Sequence, residues 1–244
     1  ALGGTLLLDT VITAADSPCT LVDDLIVSPD ADLTIEQGVV VNASGDYVID
    51  VKGDLVVNGS EASPVMFRSG LAAPVPGAWA GLFFDETGTG DLNWVQISHA
   101  HYGVEVEETA LSMANSTIRN SDYGAYLYSP STAEIDNTTF VGNGTGLYVS
   151  WGSVNISRSQ FMANDIGLDG GSASSINLTN SKVVANNSIG IRPDGATITH
   201  NVIAGNGIGI DTQLSSVTMT YNQVVANGTG IVLGGYPIRK TMNY

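Results

Sequence analysis

The sequence is poor in cations and nearly free of cysteine. It has 8 lysines and arginines against 24 aspartates and glutamates, a formal charge of −16, and one cysteine, Cys19. A nucleic-acid interface needs lysine and arginine gathered on one face, so this balance argues against nucleic acid as a partner. A lone cysteine excludes an internal disulfide and predicts a buried, unreactive thiol.

Long apolar runs and aromatic residues are also scarce. No stretch approaches the ~18 consecutive apolar residues of a membrane-spanning helix. The chain is 43% hydrophobic yet only 7% aromatic, which is typical of a narrow aliphatic core. The acidic surface favours a saline or calcium-rich extracellular setting. We therefore expect a secreted or cell-surface protein with no cofactor, apart from calcium bound without a specific site.

Glycine returns about every 21 residues through the second half of the chain. The intervals are 21, 22, 21, 23, 19 and 21 residues, between Gly103, Gly124, Gly146, Gly167, Gly190, Gly209 and Gly230. The residue after each glycine is apolar, and so is the residue six before it: Ile97, Ile118, Phe140, Phe161, Val184, Ile203 and Val224. A period of this length indicates a repeat architecture.

Each repeat also contains apolar pairs spaced two apart, such as Val154/Ile156 and Ile176/Leu178. Alternation of this kind is strand periodicity, so each repeat holds about three short strands. Such strands bury their apolar faces only when copies stack, which makes a coil of parallel strands. Pro74 and Pro76 predict one loop bulging from the coil over residues 69–77.

Four segments of the first half carry a family resemblance. The runs 32–38, 50–55, 64–69 and 79–84 resemble those of secreted right-handed parallel β-helix repeat proteins, the pectate-lyase-like solenoid superfamily. The resemblance implies an all-β, single-stranded right-handed parallel β-helix of about 21 residues per turn over residues 25–233. Residues 1–24 are then a capping or inter-subunit segment and 234–244 a C-terminal tail. The family includes polysaccharide lyases and hydrolases, adhesins, phage spikes and surface-layer components, so fold alone does not decide function. We expect the chain to resemble the surface and adhesin-type members rather than the catalytic ones.

Asparagines recur with the glycines and in glycosylation sequons. Asn143, Asn164, Asn187, Asn206 and Asn227 each precede a repeat glycine by three residues, which predicts a stacked ladder of asparagine side chains. Asn-x-Ser/Thr sequons also place candidate N-glycosylation sites on turns and outward strand positions. Those sites are Asn42, Asn58, Asn115, Asn137, Asn155, Asn177 and Asn186.

The position two after each glycine is the best place to look for an active site, because it faces outward along one column. Tyr126 and Tyr148 lie one turn apart there and are candidates for stacking on sugar rings. Asp169 and Asp211, two turns apart, are weak catalytic candidates. Arg192 lies between them and would lower their pKa values, so a surface ion-pair network is the favoured interpretation.

Two histidines are weak metal candidates. His99 and His101 are two apart, which on a strand places both side chains on one face. No third ligand is evident beside them, and a solvated turn is the favoured interpretation.

The ends of the coil suggest assembly, since open terminal strands recruit other chains. Apolar residues near both ends are candidates for head-to-tail contact: Leu6, Leu7, Leu8, Val11, Ile12, Tyr236 and Ile238. We therefore expect an extracellular structural protein, N-glycosylated, that forms a filament or surface array with copies of itself and meets cell-surface glycans. The alternative is a carbohydrate-binding or polysaccharide-cleaving β-helix module.

Overall fold

The protein is a parallel β-solenoid of about 10 turns with about 22 residues per turn. The computed structural model describes residues 1–85, 87–130, 132–212, 216–234 and 241–243. Within them, the one helix is a 3-10 turn at Ala14–Asp16, and no helix is long enough to cross a membrane. The predicted parallel β-helix is therefore confirmed.

Each coil contributes three strands, and each strand pairs in parallel with its counterpart in the next coil, so that three rows form. The first row is β2 (Thr10–Ile12), β4 (Asp32–Glu36), β7 (Asp54–Asn58), β10 (Thr89–Asn93), β13 (Ala110–Ala114), β16 (Thr132–Asp136), β19 (Ser153–Ser157), β22 (Ser175–Thr179), β25 (Gly195–Thr199), β28 (Ser216–Thr220) and β31 (Thr241–Asn243). The second row is the start of β3 (Cys19–Val27), then β5 (Val40–Ala43), β8 (Val65–Ser69), β11 (Val95–Ser98), β14 (Thr117–Arg119), β17 (Thr139–Val141), β20 (Gln160–Met162), β23 (Lys182–Val184), β26 (Val202–Ala204) and β29 (Gln223–Val225). The third row is β1 (Leu2–Leu6), the end of β3, β6 (Val48–Val51), β9 (Trp79–Phe84), β12 (Ala100–Glu107), β15 (Tyr123–Tyr128), β18 (Thr145–Ser150), β21 (Ile166–Gly170), β24 (Ile189–Arg192), β27 (Ile208–Asp211) and β30 (Thr229–Val232).

Like residues lie over one another in successive coils, as the repeat predicts. Leu147 pairs with Ala125 on one side and with Leu168 on the other. Phe140 pairs with Phe161, and their rings stack with centroids 5.0 Å apart. All five side chains are fully buried, so the core is a set of continuous apolar columns whose burial stabilises the coil.

The repeat glycines are required by the close approach of neighbouring coils. A Cβ placed on Gly146 would lie 2.4 Å from the carbonyl oxygen of Gly167, and the same contact recurs from Gly124 to Gly146. No side chain fits in that gap without separating the strands. The glycine column is therefore a packing requirement, whereas an added Cβ on Gly230 would have its nearest neighbour among the described residues at 4.0 Å.

The corner between the second and third rows holds the predicted asparagine ladder. Asn164 donates through Nδ2 to the oxygen of Phe140 (3.1 Å) and to Oδ1 of Asn186 (3.1 Å), and it accepts from the backbone N–H of Asn143 (2.9 Å). The ladder continues through Asn206 to Asn227. Each ladder amide therefore satisfies buried backbone groups as well as its neighbour.

One rung of that ladder was predicted wrongly. The ladder member in its coil is Asn186, not Asn187, and the core residue is Val183, not Val184. This coil is longer by one residue, and the extra residue lies between Asn186 and Gly190, after the rung. Counting back from the glycine therefore moved both positions by one.

A second ladder, missed in the sequence, occupies the corner between the first and second rows. There the hydroxyl of Ser159 accepts a hydrogen bond from the backbone N–H of Thr138 (3.1 Å). In the next coil the hydroxyl of Ser181 accepts one from the backbone N–H of Ser159 (3.1 Å). The residue just before each of these has left-handed backbone, as at Asn137 (φ 44°) and Arg158 (φ 50°). The residue types differ from coil to coil, which hid the pattern.

The coil extends beyond the predicted limits at both ends. β3 crosses the expected boundary at residue 24, and β1 pairs with it in parallel. β31 pairs with β28 in the first row, so part of the expected tail also adds a strand. Cys19 is 7% exposed and its Sγ donates to the oxygen of Asp16 (3.2 Å), which confirms a buried thiol.

Candidate functional site

One outward column on the third row brings together the polar and aromatic groups of interest. Strand register places them in the order Asp50, Phe83, Glu105, Tyr126, Tyr148, Asp169 and Arg192. Because these strands are parallel and in register, neighbouring members are ~4.8 Å apart along the coil axis. We call this set the outer column.

Four tyrosines gather on and beside the outer column. The rings of Tyr126 and Tyr148 stack at 4.8 Å with an interplanar angle of 14°, while Tyr102 and Tyr123 lie 5.2 and 5.6 Å from Tyr126. All four are half-buried. Burial raises the pKa of Tyr102 and of Tyr126, so both hydroxyls stay protonated donors.

The stacking changes the role predicted for Tyr126 and Tyr148. They lie one turn apart, as expected, but each presents a ring face to the other. The hydroxyl of Tyr148 packs over Gly171, where an added Cβ would lie 2.2 Å from it. A ligand would therefore meet ring edges and hydroxyl groups before it met an open ring face.

Next to the tyrosines lies a concavity of about 490 Å³. Its lining includes Glu105, His101, Tyr102 and Asp122, and Pro76 and Gly77 of the loop between β8 and β9 close one side. Nδ1 of His101 lies 2.7 Å from Oδ2 of Asp122. We call this concavity, together with the four tyrosines, the tyrosine groove.

The wall of the tyrosine groove depends on one glycine. Gly77 has φ +76°, in the left-handed region, and a Cβ there would lie 2.9 Å from Oδ2 of Asp122. Glycine permits both the backbone turn and the close approach. The loop can therefore lie directly beside the His101–Asp122 pair.

Glu105 is the carboxyl group with the unusual environment. Burial raises its pKa above the ordinary value, Glu107 raises it further, and His101 partly opposes the change. Such a carboxyl stays protonated at a pH where an exposed glutamate is ionised, which suits a proton donor. Glu105 is two residues after Gly103 and so belongs to the column that the repeat defines, but no sequence pattern indicated a role for it.

Asp50 was missed altogether. Burial is the main cause of its raised pKa, and its Oδ1 is buried with no hydrogen-bond partner among the described residues. Lys52 Nζ lies 3.5 Å from its other oxygen and 2.8 Å from Asp85. Asp50 precedes the first repeat glycine, so alignment on the glycines could not reach it, although its strand pattern places it outward.

Asp169 and Arg192 form an ion pair, as the favoured interpretation predicts. Arg192 donates through Nε to Oδ1 (2.8 Å) and through Nη2 to Oδ2 (2.5 Å) of Asp169. The bonds to Asp169, and the more distant charge of Asp211, raise the pKa of Arg192. A carboxylate held in a two-pronged pair of this kind is a poor general acid.

The two histidines do not form a metal pair. His99 has φ 62° and is the corner between β11 and β12, so the strand alternation expected from its sequence position fails. His99 lines a different groove from the one that contains His101. In the described ranges, no group of three or more His, Cys, Asp or Glu side chains is arranged to hold a metal ion.

The glycosylation candidates fall into three environments. Asn58, Asn137, Asn155 and Asn177 are exposed, and Asn42 and Asn115 are half-buried. Asn186 is 1% exposed, since it is a rung of the buried ladder. Its amide is engaged and inaccessible in the folded chain, so that candidate is wrong.

The candidates for head-to-tail assembly differ in their exposure to solvent. Leu7, Leu8 and Val11 are 70%, 78% and 56% exposed, whereas Ile12 is 5% exposed and belongs to the chain's own core. Leu6 is partly buried and packs against that core. Tyr236 and Ile238 lie outside the described residues.

The chain belongs to a recognised family. The family model described as "Right handed beta helix region" matches residues 102–240, more than half of the chain. A second model, "Pectate-lyase like beta helix domain", matches residues 4–108. The protein is thus a right-handed parallel β-helix of the pectate-lyase-like superfamily.

Solved structures share the fold at low identity. Pectate lyase Pel9A matches with 15% identity and a TM-score of 0.61, covering 88% of this chain and 66% of its own. The A-module of the Azotobacter vinelandii mannuronan C-5 epimerase AlgE4 matches with 16% identity and a TM-score of 0.52, covering 99% and 91%. No curated protein matches by sequence. This chain therefore spans just under two thirds of the lyase, and the likeness concerns fold.

Proposed function

We propose that this protein is a polysaccharide-active β-helix that binds a glycan in the tyrosine groove, with Glu105 as the group that donates a proton to it. The observation that carries the proposal is the raised pKa of Glu105 at the wall of a 490 Å³ concavity. A carboxyl that remains neutral there can protonate a leaving oxygen.

The surroundings of Glu105 suit a sugar chain. Tyrosines offer apolar ring edges and hydroxyl donors together, and sugars present the same mixture of C–H faces and hydroxyl groups. The His101–Asp122 pair lies in the same concavity and supplies a second polar contact. By their names, the two matching structures act on pectate and on mannuronan, which supports a glycan as the ligand.

Binding and turnover can be measured separately. The purified chain is incubated with pectate, mannuronan and a neutral cello-oligosaccharide, while calorimetry records binding and chromatography records products. We expect Tyr126→Ala to weaken binding about tenfold because a central ring is lost. Glu105→Gln should keep binding but abolish turnover.

The pH profile assigns the proton donor. Turnover should fall as pH rises through the raised pKa of Glu105, at a pH above the ordinary value of 4.5. Glu134→Gln, an exposed carboxyl on β16 in the first row, is the matched control and should change nothing. Unchanged turnover in Glu105→Gln, or no binding to any glycan, contradicts the proposal.

A second candidate function is head-to-tail assembly of an extracellular, N-glycosylated filament. Exposed apolar side chains lie near both ends of the coil: Leu7 and Leu8 at one, Val225 (49%) and Leu233 (50%) at the other. Light scattering should show concentration-dependent growth that Leu7→Ser with Leu8→Ser prevents. A monomer at every concentration contradicts assembly, and unmodified Asn58, Asn155 and Asn177 in protein from its natural source contradict glycosylation.

A further inference from the structure

The cations of this acidic chain divide into those that pair with a carboxylate and those that do not. Lys52, Arg158 and Arg192 each pair with a carboxylate. Across the ranges that the structure describes, neither Arg68 nor Arg119 forms an ion pair. In a chain with 24 acidic residues, two guanidinium groups without a carboxylate partner are unexpected.

Both arginines line the same groove. It has a volume of about 660 Å³ and lies on the outer face of the second row, separate from the tyrosine groove. Register places Arg68 opposite Ser98 and Ser98 opposite Arg119, so the two arginines are two strand spacings, ~9.6 Å, apart along the coil axis. No acidic residue is among the described residues that line this groove.

We call this groove, lined by Arg68 and Arg119, the arginine groove; neutral polar side chains complete its lining. Nε of Arg68 donates to Oδ1 of Asn42 (2.9 Å), which orients the guanidinium while leaving its two terminal nitrogens to a ligand. Thr20 and His99 add a hydroxyl and an imidazole to the lining. Arginine, unlike lysine, offers a planar fork that matches an oxyanion with two hydrogen bonds.

We propose that the arginine groove is an oxyanion-binding site, which takes a ligand carrying carboxylate, sulfate or phosphate groups about 10 Å apart, one on Arg68 and one on Arg119. The site is independent of the tyrosine groove and of any proton transfer by Glu105. Its walls come from the loop after β8, where Leu71 and Pro74 lie, so one irregular coil forms both grooves.

The pKa of His99 should respond to an anion bound in the arginine groove. Burial lowers its pKa, and the charge of Arg119 lowers it further. The charged groups that line the groove with the imidazole are Arg119, whose charge lowers the pKa of His99, and Arg68 on the neighbouring part of the lining. An anion bound between the arginines would offset both positive charges and therefore raise the pKa of His99.

The test uses the whole chain and defined probes. Inorganic sulfate, a sulfated disaccharide, a galacturonate trimer and a neutral cellotriose are titrated by calorimetry, with NMR of the His99 ring proton over pH. We expect oxyanion probes to bind and to raise the pKa of His99. Arg68→Gln and Arg119→Gln should each weaken binding about tenfold.

Lys182→Gln is the matched control, because it removes one positive charge from β23 in the second row, three coils beyond Arg119. It should leave binding unchanged. Comparison of the sulfated disaccharide with the galacturonate trimer identifies which kind of oxyanion the groove prefers. Binding of either probe supports the site. No oxyanion binding, equal binding by cellotriose, or undiminished binding in the double arginine variant overturns it, whatever happens at Glu105.

Discussion

The coils before residue 100 and those after it differ in regularity, and the grooves follow that difference. From Gly103 to Gly230 every coil repeats the glycine and an apolar core residue, and the asparagine rung recurs from Asn143 to Asn227. In the first half, the coil from Ile49 to Leu82 is about half again as long as the others. Its extra residues lengthen the connection from β7 to β8 and the loop after β8. The loop after β8 contributes to the walls of both the tyrosine groove and the arginine groove.

The difference teaches that repetition builds the scaffold and interruption builds the concavities. Where side chains stack in register, like groups cover one another, as Tyr126 and Tyr148 do, and little space is left for a ligand. Where one coil bulges, its neighbours' outer faces become the floor of a groove. The largest stability effects should therefore come from the regular half, and the largest binding effects from the interrupted coil.

The asparagine ladder should give the largest loss of stability. Asn164→Ala leaves the oxygen of Phe140 and the backbone N–H of Asn143 without their partner. Each unsatisfied buried group costs about 1–3 kcal/mol, so we expect the free energy of unfolding to fall by about 4 kcal/mol. Denaturant titration measures the change.

Asn58→Ala is the control from the irregular half. Asn58 is exposed at the end of β7, and its replacement should change the free energy of unfolding by less than about 0.5 kcal/mol. Equal losses in the two variants would show that buried hydrogen bonding in the ladder does not hold the regular coils together.

Much of the fold could be predicted because stacking copies the same constraint into each coil. Leu147 and Phe161 were placed correctly, since their neighbours in the column have the same apolar character. Asn186 was missed as a rung because the 23-residue interval from Gly167 to Gly190 shows that the coil is longer, but not that the added residue lies after the rung. The loop over residues 69–77 was predicted from its prolines and is confirmed as residues 70–78 between β8 and β9.

The site was less predictable, because it depends on what different coils bring together. Glu105, His101 and Asp122 come from neighbouring coils, and Pro76 and Gly77 of the loop after β8 complete the concavity that they line. The pKa of Glu105 depends on burial that no local pattern reveals. Arg68 and Arg119 are 51 positions apart in the sequence, and only the coil register places them two strands apart.

The glycine column tests the central claim most directly, because that claim is stacking of successive coils in register. Gly146→Ala introduces a Cβ 2.4 Å from the oxygen of Gly167, whereas the Cβ of Gly230→Ala would have its nearest neighbour among the described residues at 4.0 Å. Denaturant titration of both variants should show a loss of about 2 kcal/mol for the first and less than about 0.5 kcal/mol for the second. Equal losses, or none in Gly146→Ala, would contradict the account.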